Sequence, residues 1–124
     1  MARIPARDDA GPPRPSAQEQ ARKRQLLADI DHVGWFLRGS LLHVANRCGK
    51  PTCRCKADPP QLHGPYWQWT RKVGGKTVSV RLTDAQAELV RGWIANGKAV
   101  DQYLAELEHL SRQVTERILA ATAR

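Results

Sequence analysis

The sequence lacks several features that would place it in a familiar class of protein. No apolar run reaches the roughly 18 residues that a membrane-spanning helix needs, and residues 1–16 contain no apolar stretch typical of a secretory signal. Neither a Gly-rich phosphate loop nor a nucleophile paired with a base is recognisable. We therefore expect a cytoplasmic protein that is not an enzyme and does not contact a membrane.

Cysteine is also scarce: the chain has three, and all fall within residues 48–55. An odd number of closely spaced cysteines is a poor disulfide framework but is typical of a metal site. Cys48, Cys53, Cys55 and His63 have the spacing C-x4-C-x-C-x7-H, and Cys3His is a recognised set of ligands for tetrahedral zinc. Because four protein ligands leave no open position, the spacing predicts a structural zinc.

Three alternatives to this zinc site are open from the sequence. His43 is a possible fourth ligand if His63 does not reach the cysteines. The cysteines can instead be free thiols beside an unrelated surface histidine. Cys53 and Cys55 can also form a redox-active dithiol.

Acidic residues are nearly absent from the middle of the chain. The 124 residues carry 20 Lys and Arg against 12 Asp and Glu, a net charge of +8. Residues 38–81 hold nine bases and one acid, so this segment accounts for the whole excess. A localised cationic surface indicates a polyanionic partner. Three of the bases adjoin the cysteines, and we expect their charges to lower the thiol pKa values: Lys50, Arg54 and Lys56.

The pattern along the chain predicts an α+β fold with an N-terminal helix, a small zinc-stapled antiparallel sheet and a long C-terminal helix. Ser16 and Glu19 have the spacing of a capping box and predict the start of the first helix. Its end is expected at Gly39. We divide the chain into a disordered tail, a zinc-stapled basic core and a helical or coiled-coil extension: residues 1–15, 16–96 and 97–124.

The sheet prediction depends mainly on one hairpin. Residues 40–47 are expected to form a first strand, and residues 65–73 and 76–82 flank Gly74-Gly75, a two-residue turn. This turn fixes the register, with Trp67 opposite Leu82 and every other opposed pair following from it. One face of the hairpin is then apolar and should pack on helices, whereas the other is polar.

The polar face and the metal loop together form the predicted nucleic-acid-binding surface. Its residues are Lys50, Arg54, Lys56, Gln68, Lys72, Thr77, Ser79 and Arg81. Bases and hydroxyls contact phosphate, and a two-stranded ribbon can enter a major groove. Trp67 and Trp69 belong to the apolar face and are expected in the core, so Tyr66 is the aromatic residue considered for base stacking. The alternative is an ordinary solvated sheet face.

The C-terminal helix is expected to start at a second capping box, Thr83 with Gln86. Its apolar seam alternates at intervals of four and three: Trp93, Gly97, Val100, Leu104, Leu107, Ser111, Val114 and Ile118. Gly97 and Ser111 weaken the seam, and Asn96-Gly97 is a possible break. An unbroken helix would be roughly 58 Å long at about 1.5 Å per residue. We expect its far half to pair with another chain, giving a homo-oligomer.

Three stretches resemble a family of short bacterial proteins described as a domain of unknown function and often met near transposases. These are GSLLHVANRCGKPTCRC (39–55), HGPYWQWTRKVGGKTVSVRL (63–82) and LVRGWIANGKAVDQYLAELEHL (89–110). Trp67 stands where that family usually has Tyr. The resemblance implies a bacterial source and a mobile-element setting, and it implies no activity.

From these observations we expect an accessory module of a mobile element that binds nucleic acid, DNA in the first instance. The alternative is an adaptor that oligomerises and assists a larger enzyme such as a transposase or recombinase. The two functions would use different binding surfaces. Nucleic-acid binding would use the basic segment 38–81, and the adaptor function would use the apolar seam of the C-terminal helix.

Overall fold

The computed structural model describes residues 13–123 and contains two long helices and one sheet. Helix α1 spans Ala17–Val33, strand β1 Ser40–Asn46, strand β2 His63–Val73, strand β3 Lys76–Leu82 and helix α2 Asp84–Thr122. The three strands form an antiparallel sheet in the order β1-β2-β3. The predicted α+β architecture is confirmed. Neither helix within residues 13–123 is both long and apolar enough to cross a bilayer.

The chain divides into two compact units. The sheet unit consists of residues 35–98, and the helical unit consists of the described residues 13–34 and 99–123. Helix α2 contributes its residues up to Lys98 to the sheet unit and those from Ala99 onward to the helical unit. Most of the predicted disordered tail, residues 1–12, lies outside the described residues.

The hairpin register is the one predicted from the two-residue turn. Trp67 pairs with Leu82 and Thr70 with Ser79, and the pairing continues to the last pair before the turn. Gly74 and Gly75 both have positive φ, at 57° and 81°. A two-residue turn with two positive φ angles matches the right-handed twist of the strands, and glycine adopts it without steric cost.

Both predicted capping boxes are present. Ser16 Oγ accepts from the Glu19 amide while Glu19 Oε1 accepts from the Ser16 amide, and Thr83 and Gln86 make the same reciprocal pair. The Ser16 amide, together with the Arg117 guanidinium, lowers the pKa of Glu19. The other end of α1 was predicted wrongly at Gly39, since the helix ends at Val33 and Gly34 follows it with φ of 85°.

The segment between α1 and β1 is held against helix α2 by two hydrogen bonds. The Leu37 amide donates to the Trp93 carbonyl at 2.9 Å, and Asn96 Nδ2 donates to the Trp35 carbonyl at 2.8 Å. Gly97 makes this approach possible, because a Cβ there would lie 2.2 Å from the Leu37 oxygen. Helix α2 continues through Asn96-Gly97 without the break considered from the sequence.

In the helical unit, α1 lies antiparallel to the far half of α2. Arg22 Nη2 lies 2.5 Å from Glu106 Oε2, and Arg117 pairs with Glu19. Leu26 is buried in this unit, at 1% exposure. Part of the predicted apolar seam is therefore covered by the chain's own first helix, although Leu104 and Leu119 remain 46% and 62% exposed.

Candidate metal centre and cationic surface

The loop between β1 and β2 brings the four predicted metal ligands together. The ligand atoms of Cys48, Cys53, Cys55 and His63 all lie within 4.8 Å of one another. Strand pairing explains part of this convergence, because His63, the first residue of β2, pairs with Asn46 at the end of β1. The intervening loop must therefore start and finish at one end of the sheet.

Two successive tight turns fold the loop so that the sulfur atoms converge. The Cys53 amide donates to the Lys50 carbonyl at 3.2 Å, and the Lys56 amide donates to the Cys53 carbonyl at 2.9 Å. The second turn forms a short 3-10 helix, Arg54–Lys56, which places Cys55 fully inside at 0% exposure. This local bend allows two cysteines separated by one residue to face the same point.

The distances within the cluster suit a tetrahedral ion. Sulfur atoms about 2.3 Å from a zinc ion at tetrahedral angles lie about 3.8 Å apart. Cys48 Sγ and Cys55 Sγ are 3.7 Å apart, and Cys53 Sγ lies 3.2 Å from His63 Nε2. Three thiols and one imidazole also form a donor set that zinc prefers. These four residues can hold a metal ion.

Backbone amides dominate the acidity of the three thiols. The Cys55 amide lowers the pKa of Cys53, and the Cys48 amide, 3.3 Å from Cys55 Sγ, lowers the pKa of Cys55. The Lys50 amide acts on Cys48 in the same direction, but burial and the two neighbouring thiols outweigh it and raise the pKa of Cys48. Amide hydrogen bonds thus favour two thiolates, the form that binds metal.

The basic residues of the loop play different parts from one another. The Lys56 ammonium donates to the Cys48 carbonyl and, at 3.3 Å, to the Lys50 carbonyl, so it closes the loop from inside. From the sequence, Lys56 is expected to lie on a binding surface and to lower thiol pKa values, and its contact with the loop carbonyls is not predicted. Lys50 and Arg54 are exposed beside the metal ligands.

His43 is not part of the cluster, so the structure favours His63 over His43 as the fourth ligand. The His43 ring stacks on Trp67, its cross-strand partner on β2, with centroids 4.2 Å apart and planes at 15°. Arg71 lies over Trp69 on the same face, at 4.1 Å from the ring centroid, and Arg91 of α2 lies over Trp67 at 4.9 Å. The two tryptophans therefore make packing contacts on this face, but both are half-buried rather than in the core as predicted.

The other sheet face carries the predicted polar residues. Gln68 pairs with Arg81 and Lys72 with Thr77 across the hairpin, while Thr70 Oγ1 and Ser79 Oγ share a hydrogen bond of 2.9 Å. Strand β1 adds Leu42 and Val44 to this face, opposite Gln68 and Tyr66. This contribution of β1 is not predicted from the sequence, because alternation gives a strand its two faces but does not show where the strand joins a sheet.

The two units differ in net charge. The sheet unit has eleven Lys and Arg against three acids, a net charge of +8, whereas the described helical unit has six against seven. Within residues 13–123, no carboxylate lies within ion-pair distance of nine of the sheet unit's bases. Three of the nine are set aside: Lys56 donates to loop carbonyls, Arg71 is half-buried, and Lys98 belongs to α2. The other six are exposed in the metal loop and the hairpin: Arg47, Lys50, Arg54, Lys72, Lys76 and Arg81. This group is called the open cations below.

Comparison with known proteins identifies the family. Residues 16–92 match the family described as domain of unknown function DUF6788. The chain belongs to this family. The matched region runs from the first capping box to the early part of α2 and so contains the whole metal cluster and sheet. No curated protein and no solved structure matches the chain significantly.

Proposed function

We propose that this DUF6788 chain is a zinc-stapled module that binds nucleic acid, in the first instance DNA, through its sheet unit. The observation that carries the proposal is the set of open cations. Cations without carboxylate partners are free to neutralise phosphates, whereas paired surface cations must first give up an ion pair. Three of the six belong to the loop at the metal cluster, and three belong to the hairpin.

Hydroxyl and amide groups on the polar sheet face support the same function. Thr70, Ser79 and Thr77 offer hydroxyls, and Gln68 offers an amide, between the cations of the hairpin. Such groups hydrogen-bond phosphate oxygens and base edges. The hairpin extends past the end of β1, which pairs no further along β2 than Thr70, so its tip is a two-stranded ribbon.

We propose zinc as the metal and a structural role for it. A buried Cys55 and three further ligands fix the loop that carries Arg47, Lys50 and Arg54, so the ion would hold these cations in one arrangement. The sheet unit, residues 35–98, needs this support because its only buried apolar side chains are Cys55, Ala87 and Val90. A closed four-ligand site leaves no position for a substrate, and we propose no catalytic role.

A second function is favoured by the helical unit, which has almost no net charge but exposes leucines. Leu27, Leu104 and Leu119 are 47%, 46% and 62% exposed. Such a surface suits self-association or contact with a larger enzyme, such as a transposase or recombinase of a mobile element. This adaptor function is compatible with nucleic-acid binding because it uses different residues.

The proposal is tested by titrating the full chain into fluorescein-labelled DNA and RNA strands and following anisotropy over a series of salt concentrations. If half of the open cations contact phosphates, the slope of log K against log salt is expected near −2.7 for duplex DNA, about −0.9 per phosphate. Unlabelled polyglutamate of equal charge is the control for a surface that takes any polyanion. Absence of binding at low salt, or equal competition by polyglutamate, would refute nucleic-acid binding.

A further inference from the structure

A small cleft opens on the polar sheet face beside the metal loop. It has a volume of about 140 Å³ and is lined by Val44, Asn46, Tyr66, Gln68 and Arg81. Enclosed sites for whole small molecules are larger, about 300–1,000 Å³. The cleft can thus take one ring of a ligand while the remainder lies on the surface.

The chemistry of the lining suits a planar ring with polar edges. The Arg81 guanidinium carbon lies 3.7 Å from the centroid of the Tyr66 ring, in van der Waals contact with it. Guanidinium groups and aromatic rings are the surfaces on which proteins stack unpaired bases. The amides of Gln68 and Asn46 lie at the same cleft, and each offers a donor and an acceptor to a base edge.

The surface around the cleft offers a path for the sugar–phosphate backbone of a strand whose base occupies the cleft. Asn46 pairs with His63, so the cleft borders the metal cluster, and the adjoining loop holds Arg47, Lys50 and Arg54. On its other side, the same sheet face continues to Lys72. Cations therefore follow the cleft in both directions along the surface.

We propose that this cleft is a base-binding site, in which an unpaired base of a single-stranded nucleic acid stacks on the Tyr66–Arg81 pair. The inference rests on the proposed nucleic-acid binding and narrows it to single strands at this face. A base within a duplex is stacked and paired, and it cannot enter the cleft unless it is extruded at the cost of those interactions. Phosphates of the same strand lie against the open cations.

The experiment compares two fluorescein-labelled DNA strands of equal length, one normal and one abasic at every position, in titrations with the full chain at one low salt concentration. Both carry the same phosphates, so the ratio of their affinities isolates the contribution of the bases. One stacked base should give the normal strand an advantage of roughly 5- to 150-fold. A duplex of the same sequence should bind more weakly per phosphate than the normal strand.

Two substitutions locate the effect in the cleft. Arg81→Lys keeps the charge but removes the planar group, and Tyr66→Leu removes the ring beneath it; each should bring the affinity ratio towards one. Lys72→Ala, on the same face but outside the cleft lining, should weaken both strands equally and leave the ratio unchanged. Because Arg81 is exposed, Arg81→Lys remains informative if Tyr66→Leu fails to fold.

The outcomes separate the two proposals. Equal binding of normal and abasic strands overturns the base site and leaves phosphate binding standing. A ratio that persists in Arg81→Lys also overturns it, because the bases are then read elsewhere. Failure of every strand to bind at low salt overturns the proposed function itself, and the base site with it.

Discussion

Two glycines of helix α2 should respond to alanine in opposite directions. At Gly97 a new Cβ would lie 2.2 Å from the Leu37 carbonyl oxygen and 3.3 Å from its carbon. At Gly92 a new Cβ would meet nothing within 4 Å. Both residues are helical, and neither has a positive φ, so the two substitutions share the same gain in helix propensity and differ in packing alone.

The magnitudes follow from that difference. Gly→Ala in an exposed helix interior stabilises by up to about 1 kcal/mol, which is the expectation for Gly92→Ala. At Gly97 the clash is with backbone, and overpacking costs typically about 1–3 kcal/mol. If the segment around Leu37 moves away from α2 to relieve the clash, the Leu37–Trp93 hydrogen bond is also weakened. Such a bond contributes about 0.5–1.5 kcal/mol. Gly97→Ala should therefore destabilise by about 1–3 kcal/mol after its propensity gain.

Thermal unfolding monitored by tryptophan fluorescence is a suitable assay, because all four tryptophans lie in the sheet unit. For a unit of this size, about 1 kcal/mol moves the Tm by roughly 4–8 °C. Gly97→Ala should lower the Tm and Gly92→Ala should raise it or leave it unchanged. If the two variants unfold at the same temperature, the close approach of Leu37 to the helix is wrong.

Three further predictions concern the metal, self-association and pH. Protein made with zinc should contain one zinc per chain, and a metal-free wild type would refute the site. Cys53→Ser should lose the zinc and unfold at least about 10 °C lower, since a ligand at 100 times its Kd stabilises by about 2.7 kcal/mol. Thr52→Ser, at an exposed position of the same loop that is not a ligand, is the control. The full chain should sediment as a dimer or larger species, and Leu104→Lys with Leu119→Lys should make it monomeric; a monomeric wild type at high micromolar concentration rules out self-association. Because the pKa of Glu19 is lowered, the ionised carboxylate stabilises the fold at pH values above its ordinary pKa of 4.5, and this stabilisation is lost as the pH falls through the folded-state pKa. Glu19→Gln should therefore make stability less dependent on acid pH in a circular dichroism titration. An unchanged acid limb would contradict this role.

The features that the sequence predicted well are those encoded by neighbouring residues. A two-residue Gly74-Gly75 turn permits one register, so every pair of the hairpin followed from it. The capping boxes at Ser16 and Thr83 depend on residues three positions apart. The metal cluster is also local, because its ligands span only 16 positions and share a preference for one ion.

The features that the sequence did not predict depend on distant contacts. Helix α1 ends at Val33 rather than near Gly39 because the residues after Gly34 are held against α2 by hydrogen bonds that no local pattern encodes. The heptad seam assumed a partner chain for Leu104 and its neighbours, whereas α1 covers part of the same helix. Lys56 resembled a surface cation until the loop geometry brought two carbonyls to its ammonium.

The central claim, that the sheet unit binds nucleic acid through its open cations, is tested most directly by comparing salt slopes of two double variants. Lys72→Ala with Arg81→Ala removes two hairpin cations, and Lys98→Ala with Arg112→Ala removes two from α2, where Arg112 already pairs with Glu108 at 3.5 Å. The hairpin variant should show a slope shallower by about 0.9–1.8, or one to two phosphate contacts, and the helix variant a nearly unchanged one. Identical, unchanged slopes for both variants would contradict the claim and indicate that the cations serve another acidic partner.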